Sequence, residues 1–418
     1  MNCEYQRADE YCIKVTDGTH DSPKKTETGK YLITSKHIKG TEIDYENAYL
    51  ISEEDYDKIN LRSKVDQWDI IISMIGIYCG FCYIERNEKI NYAVKNVGLL
   101  KTGSREKAEW LYYYLNSPEG KAYLESVRAG STQPYISLGE LRKLPIPIPK
   151  EDVRNKICKI LRDLDYKIEL NKKINTNLEQ QAKTLFQSWF VDFEPFDEEF
   201  IESPIGTYIP SSLNMVQIGS LPHVLETGKR PKGGAVTSGI PSIGAENVKK
   251  LGEVNFKSAK YIPVEFAAKM EKGKVHGYEL MLYKDGGKPG TFIPHFSMFG
   301  EGFPYEEFYI NEHVFKLDFG DRGFNEFAYF YMQTDYPYNW LANNGGKAAV
   351  PGINQQDVNS IWIYSPENKY VQKYCEWVQP IFTAILKNCY QNMKLVELRE
   401  MLLPKLMSGE IDVSKLSV

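Results

Sequence analysis

From Glu151 to Phe190 the chain runs without a proline or glycine, and apolar residues return at every seventh position. Ile157, Leu164, Leu178 and Leu185 form the series, with Asn171 in the one remaining slot. Ile160, Leu161, Ile168, Ile174, Ala182 and Trp189 widen that face, while Lys, Asp, Glu and Gln occupy the other. The spacing predicts one long amphipathic helix with a coiled-coil seam. At about 1.5 Å per residue such a helix is a rod of roughly 60 Å. Its apolar stripe must be covered by something else in the chain.

The cover is a second copy of the helix. The series recurs 217 residues later as Tyr374, Ile381, Asn388, Leu395 and Leu402, again with asparagine in the middle. The same offset relates Trp110 to Phe327, Pro134 to Pro351 and Ile136 to Ile353; nearer the N-terminus it is 210, as for Gly18 and Gly228, Ile33 and Ile243, or Gly76 and Gly286. About seven extra residues therefore lie between Gly290 and Phe327. Self-similarity at one large period means a tandem duplication of a whole unit. Each unit is a globular segment followed by a long helix.

The expected boundaries are a first globular domain at 1–149, a first spacer helix at 150–195, a second domain at 196–365, a second helix at 366–409 and a tail at 410–418. Tyr31 to Ile38 and Asp69 to Cys82 read as strands, and Glu106 to Val127 as one helix. Ser365-Pro366-Glu367 suits a helix start. Pro380 and Pro404 each remove a backbone bond, which predicts kinks or a break in the second helix. The lead-in strand at 208–222 has little counterpart before Tyr11, so the first unit either lacks an edge or borrows the C-terminal tail. Short connections favour antiparallel pairing of the helices. The fold class is thus α+β: two similar globular domains separated by a long antiparallel two-helix coiled-coil spacer, with a pseudo-twofold near Asn171 and Asn388. An asparagine there either sets register or faces solvent at a loose spot.

Composition narrows the chemistry. Net charge is −5 and neither globular segment is strongly basic, so nucleic acid would have to be held by local patches. Seven cysteines without a disulfide framework, and a polar start, suit a reducing cytoplasm. The uncharged run Ile70 to Ile84 is shorter than the about 20 residues a membrane span needs, and with Gly76 and Gly80 inside it reads as two buried strands around a glycine turn. Gly345-Gly346-Lys347-Ala348 and Gly286-Gly287-Lys288-Pro289 lack the spacing and hydroxyl of a nucleotide-binding loop. Cys79 and Cys82 form a lone CxxC, which fits buried strand cysteines better than a metal or redox pair. No catalytic constellation is visible. Lys24, Lys25, Lys36 and Lys39, and the basic loop of Lys229, Arg230 and Lys232, are either phosphate contacts or ordinary solvated charges.

Particular strings narrow it further. Lys167-Ile-Glu-Leu-Asn-Lys-Lys173, Ala182-Lys-Thr-Leu185, Trp189-Phe190, Asp69-Ile-Ile-Ile-Ser-Met74, Gly130-Ser-Thr-Gln133 and above all Leu402-Leu-Pro-Lys-Leu-Met-Ser-Gly-Glu-Ile411 resemble the specificity subunits of type I restriction-modification enzymes. The resemblance spans essentially the whole chain. It implies a non-catalytic, cytoplasmic reader of double-stranded DNA: each globular domain reads one half of a bipartite target and the helices fix the half-site distance. It also implies two methyltransferase (modification) subunits docked on the helices, joined by restriction/translocase subunits, with S-adenosylmethionine, ATP and Mg on those partners and no cofactor or membrane contact here. The DNA-binding candidates are Thr19, His20, Lys24, Lys25, Lys36, Gln133, Tyr135, Lys229, Arg230, Lys232, Lys288 and Lys347. Two other readings stand: a specificity subunit serving a fused restriction-methylation polypeptide, or a coiled-coil scaffold that binds no DNA.

Overall fold

The computed structural model describes residues 3–346 and 350–416, and Lys347 lies outside them. The chain divides into two compact units: one reaches to Tyr166 and includes the segment from Leu395 onward, the other is Lys167–Lys394. The division falls inside both long helices.

Unit 1 begins with β1 (Glu4–Arg7), α1 (Ala8–Tyr11), β2 (Lys14–Asp17), β3 (Lys30–Thr34), β4 (Tyr49–Ile51), α2 (Glu53–Ser63), β5 (Asp69–Ser73), β6 (Cys82–Ile84), β7 (Tyr92–Lys95) and β8 (Val97–Lys101). Then come α3 (Arg105–Asn116), α4 (Pro118–Ser126), α5 (Leu138–Lys143), β9 (Pro145–Ile148) and the start of α6 (Glu151–Phe190). Strands β2-β8-β5-β6 form an antiparallel sheet, and β4-β3-β7 a second in which β3 and β7 run parallel. The isoleucine run of β5 is explained by burial on both faces. Ile70 and Ile72 join the cluster under Trp110 and Leu111, while Ile71 joins Ile33, Val94 and Leu99 on the other side. Ile157, Cys158 and Leu161 of α6 enter the first of these clusters together with Leu403, Leu406 and Met407.

Several local expectations need correction. Strand β3 stops at Thr34, followed by a 3-10 turn at Ser35–His37. Asp69 to Cys82 holds the expected glycine turn, with the first strand ending at Ser73 and the second beginning only at Cys82. The helix expected over Glu106 to Val127 is two helices. Pro118 has no N–H for the carbonyl of Tyr114, and Ser117 takes that acceptor with its own N–H (3.0 Å) and hydroxyl (2.6 Å) while capping α4. Unit 1 does not lack its edge: Glu4–Arg7 pairs antiparallel with Pro145–Ile148.

Unit 2 carries the rest of α6, then β10 (Phe200–Glu202), β11 (Tyr208–Pro210), β12 (Met215–Gln217), β13 (Val224–Thr227), β14 (Ile240–Ile243), β15 (Lys260–Ile262), α7 (Val264–Ala267), β16 (Leu280–Tyr283), β17 (Phe296–Met298), β18 (Tyr309–Ile310) and β19 (Val314–Asp318). It continues with α8 (Arg322–Tyr331), α9 (Asp335–Gly345), α10 (Gln355–Asn359), β20 (Trp362–Tyr364) and α11 (Lys369–Ser408), whose last turns belong to unit 1. Its sheets are β13-β19-β16-β17, antiparallel, and β15-β14-β18 with β14 and β18 parallel; β12 pairs with β20. This is the strand order of unit 1. Equivalent ladder positions lie 210 apart at Lys14 and Val224 and 217 apart at Lys101 and Asp318. The hairpin β10–β11 has no equivalent among the described residues of unit 1.

Phe186 and Phe190 bury in unit 2 against Phe327 and Tyr374, with ring centroids 5.0 to 5.6 Å apart, and Phe196 packs 4.3 Å from Tyr370. Helix α11 passes through Pro380 and Pro404 without a break. The carbonyls deprived of a donor belong to Glu376 and Glu400, both exposed, so water satisfies them. In both helices the buried stripe is broader than a heptad seam. Leu164, Leu178, Leu185, Ile381, Leu395 and Leu402 are half-buried, whereas Val371, Tyr374, Val378, Phe382 and Ile385 are almost fully enclosed. The second set keeps the 3.6-residue period because these turns lie on a globular core as well as on another helix.

The central asparagines do not meet each other. Asn171, fully buried, donates to Gln391 Oε1 (2.7 Å) and Asn392 Oδ1 (2.8 Å), and Asn388 donates to Asn175 Oδ1 (2.8 Å). Side chains at facing positions of antiparallel helices are staggered by about a turn, so each asparagine reaches the amide four residues beyond its twin's position.

Candidate nucleic-acid interface

In unit 1 five connecting segments are pinned together beyond the ends of the strands. Ser35 is the hub: its hydroxyl bonds the carbonyl of Asn96 and accepts from the N–H of Met74 (3.1 Å) and Ile75 (3.3 Å). The loop after β5 is held to the segment before α5 by Gly76 N–H to Pro134 (2.8 Å) and Ile136 N–H to Met74 (2.9 Å). Thr19 closes the group, donating to Val94 (3.0 Å) and accepting from Asn96 (3.2 Å). These bonds join the segments into one surface.

Of the sequence candidates, Thr19, His20, Lys36, Gln133 and Tyr135 fall on this surface. His20 bridges Asp17 (2.9 Å) and Asn96 (3.0 Å), Thr19 is buried by the bonds just described, and Lys36 and Gln133 are exposed. Tyr135 is bridged to both Ile75 and Ala129 and keeps its ring half in solvent. Lys24 and Lys25 are exposed on the loop from Gly18 to Gly29. Sequence reasoning missed Lys95, whose amine meets Ser22 at 2.5 Å, and Tyr78, above whose ring the amine of Lys39 sits at 3.7 Å. Tyr78 lies in the glycine turn expected between two buried strands, and nothing in that uncharged run signalled a cation partner.

Unit 2 repeats the pinning of the loop after β16 to the segment before α10, while Ala245 stands where Ser35 would recur. Gly286 N–H meets Pro351 (2.9 Å), Ile353 N–H meets Lys284 (2.8 Å), and Gly228 N–H meets Asn311 (3.2 Å), as Gly18 N–H meets Val97 (2.9 Å) in unit 1. A β-carbon on Gly228 would lie 1.6 Å from the Ile310 carbonyl, so only glycine fits there. Lys229, Lys232 and Lys288 are exposed on these loops. Arg230 is drawn toward Glu312 at 3.8 Å, and Lys284 toward Asp285 at 2.9 Å. Burial alone would raise Asp285, but Lys284 and His313 hold it below the ordinary carboxylate range. The unit 2 loops therefore set cations beside carboxylates, so part of their positive charge is offset within the protein.

Cys79 and Cys82 are buried, and burial pushes both thiols up, Cys82 to about 12. Cys79 donates to the Met74 carbonyl at 3.4 Å and Cys82 accepts from Asn116 at 3.2 Å, which are packing roles. No group of three metal-ligating side chains occurs among the described residues. No described helix is long and apolar enough to cross a membrane.

Residues 19–180 match the family of type I restriction modification DNA specificity domains. The chain is similar to the specificity subunit of type I restriction enzyme MjaIX from Methanocaldococcus jannaschii, 29% identical over 318 residues, 74% of this chain and 70% of the relative. The HindI specificity subunit of Haemophilus influenzae is 24% identical across 84% of this chain and 88% of the relative. In fold the chain is similar to the crystal structure of a type I restriction-modification S subunit from M. genitalium, at a TM-score of 0.56 and 14% identity, over 97% of this chain and 96% of that one.

Proposed function

We propose that this chain, similar to the specificity subunits of type I restriction-modification enzymes, holds two paired readers of duplex DNA, each recognising one half of a split target. The observation that carries this reading is the repetition of one loop-pinning scheme, from Gly76–Pro134 in unit 1 to Gly286–Pro351 in unit 2, around different exposed side chains. A shared frame positions the loops, and the differing side chains read different sequences. The domains at 1–149 and 196–365 are the readers. Helices 150–195 and 366–409 are the spacer that fixes the interval between half-targets. The hydrogen bonds Asn171–Asn392 and Asn388–Asn175 support a duplicated, pseudo-twofold spacer, since a shift of 217 residues exchanges one pair for the other.

The chain supplies sequence specificity, and chemistry belongs to its partners. Two methyltransferase subunits dock on the helices, with restriction/translocase subunits joining them in the cytoplasm. S-adenosylmethionine, ATP and Mg act there. The test is reconstitution with the methyltransferase subunits followed by mapping of methylated bases. The expected outcome is a bipartite target of which exchange of residues 207–365 for a homologous segment alters one half only. A single uninterrupted target, or a change in both halves, overturns the reading.

A further inference from the structure

The loop between β5 and β6 of unit 1 carries a feature that phosphate binding does not use. Ile77 sits at its tip and is 84% exposed. An isoleucine so exposed gains nothing for the fold. The loop is nevertheless tightly built. Gly80 N–H bonds Ser73 (2.8 Å), Cys79 N–H bonds Gly76 (3.0 Å), and Gly76 N–H bonds Pro134 (2.8 Å). Gly76 and Gly80 take the left-handed turns, at φ +86° and +91°, that let eight residues reverse so sharply. Tyr78 is folded back, its ring 5.6 Å from Phe81 and capped by Lys39. The result is a slim, rigid tip presenting one branched aliphatic side chain, with Lys36 and Lys39 nearby to meet phosphates.

We infer that Ile77 reads the 5-methyl group of a thymine in the major groove of the half-target bound by unit 1. This rests on the proposed role of the chain as a DNA reader. The major groove, about 12 Å wide, admits a two-stranded ribbon, and the thymine methyl is the one apolar group that distinguishes a base pair there. The minor groove, about 6 Å wide, does not admit such a tip. At the matching place in unit 2, where Gly286 repeats the bond of Gly76, the next residues are Gly287 and Lys288, so the two tips differ in chemistry as readers of unlike half-targets must.

The experiment uses the complex reconstituted with its methyltransferase subunits, on duplexes bearing the mapped target, with each thymine in turn replaced by uracil. At one thymine the replacement weakens binding about fourfold, the equivalent of the about 0.8 kcal/mol carried by one buried methyl-sized group. In the Ile77→Ala complex that single preference is lost while all others persist, and Ile77→Val retains it. Unchanged thymine-to-uracil ratios in Ile77→Ala, or a target without thymine on either strand, overturn the inference and leave the reading of the chain intact. Loss of affinity in Ile77→Ala without loss of a thymine preference overturns it in favour of insertion between base steps. A wild-type complex that methylates no specific sequence removes the reading and the inference together.

Discussion

Glu109 and Glu326 occupy matching places in the two units, 217 residues apart, and differ in one neighbour. Glu109 is held by Arg105 (2.8 Å) and Arg162 (2.8 Å), one guanidinium to each oxygen. Glu326 keeps the first partner, Arg322 at 3.0 Å, but Gln379 stands where Arg162 would recur, and its Oε2 is buried without a partner. Burial outweighs the single arginine and raises Glu326 to about 7. Its folded-state pKa thus lies above the ordinary carboxylate value, so the folded protein holds an extra proton and loses stability as pH rises from about 4.5 to 7, by up to about 3 kcal/mol. Glu326→Gln should flatten that loss, and Gln379→Arg should restore stability above pH 7. Urea unfolding at pH 5.5 and pH 8 checks both; a slope unchanged by either substitution would clear Glu326. None of this was legible in the sequence. The 217-residue offset places Arg162 opposite Gln379, but the consequence of losing one arginine depends on burial that only the fold provides.

At the scale of elements, the sequence was most legible where periodicity was strong. Helix α6 begins at Glu151 and ends at Phe190, the two residues that bound the uninterrupted heptad run. It was least legible where backbone chemistry competes with pattern, as at Ser117-Pro118, whose break a continuous apolar pattern conceals. The loops proposed to face DNA were legible only as cations and turn residues, because their register depends on bonds between segments as distant as Gly76 and Pro134. Two predictions belong here. Asn171 has its Oδ1 buried without a partner, and its two acceptors, on Gln391 and Asn392, are within reach of solvent. Asn171→Leu should therefore raise stability by about 1 kcal/mol. A lower urea midpoint would mean that the two amide bonds outweigh the unpaired oxygen. On the basic loop, Lys229→Ala with Arg230→Ala and Lys232→Ala should weaken DNA binding and flatten its salt dependence. Each lost phosphate contact removes about one unit of slope, and because Arg230 leans on Glu312 the loss should lie nearer two units than three. An unchanged slope would make these ordinary solvated charges.

For the whole molecule the decisive quantity is the offset between copies, which climbs from 210 to 217 and then holds through both long helices. A duplication that leaves the helices strictly in step allows their length to be altered in step. The hydrogen-bonded amides mark where. Asn171 with Asn392, and Asn175 with Asn388, form two couples side by side. Seven residues inserted between 171 and 175, and seven between 388 and 392, would leave each couple whole and move the couples apart by about 10 Å. A heptad drifts only about 20° from a whole number of turns, so the buried stripes stay nearly continuous. If the paired helices set the interval between half-targets, both half-sequences should persist while the gap widens by roughly three base pairs, at 3.4 Å per pair along each strand. Insertion into one helix alone should instead frustrate the pairing and lower stability, because the amides would face apolar neighbours. Methylation mapping of the doubly lengthened protein distinguishes the outcomes. The original gap, retained with both insertions present and both half-sequences intact, would mean that something other than these helices measures the DNA.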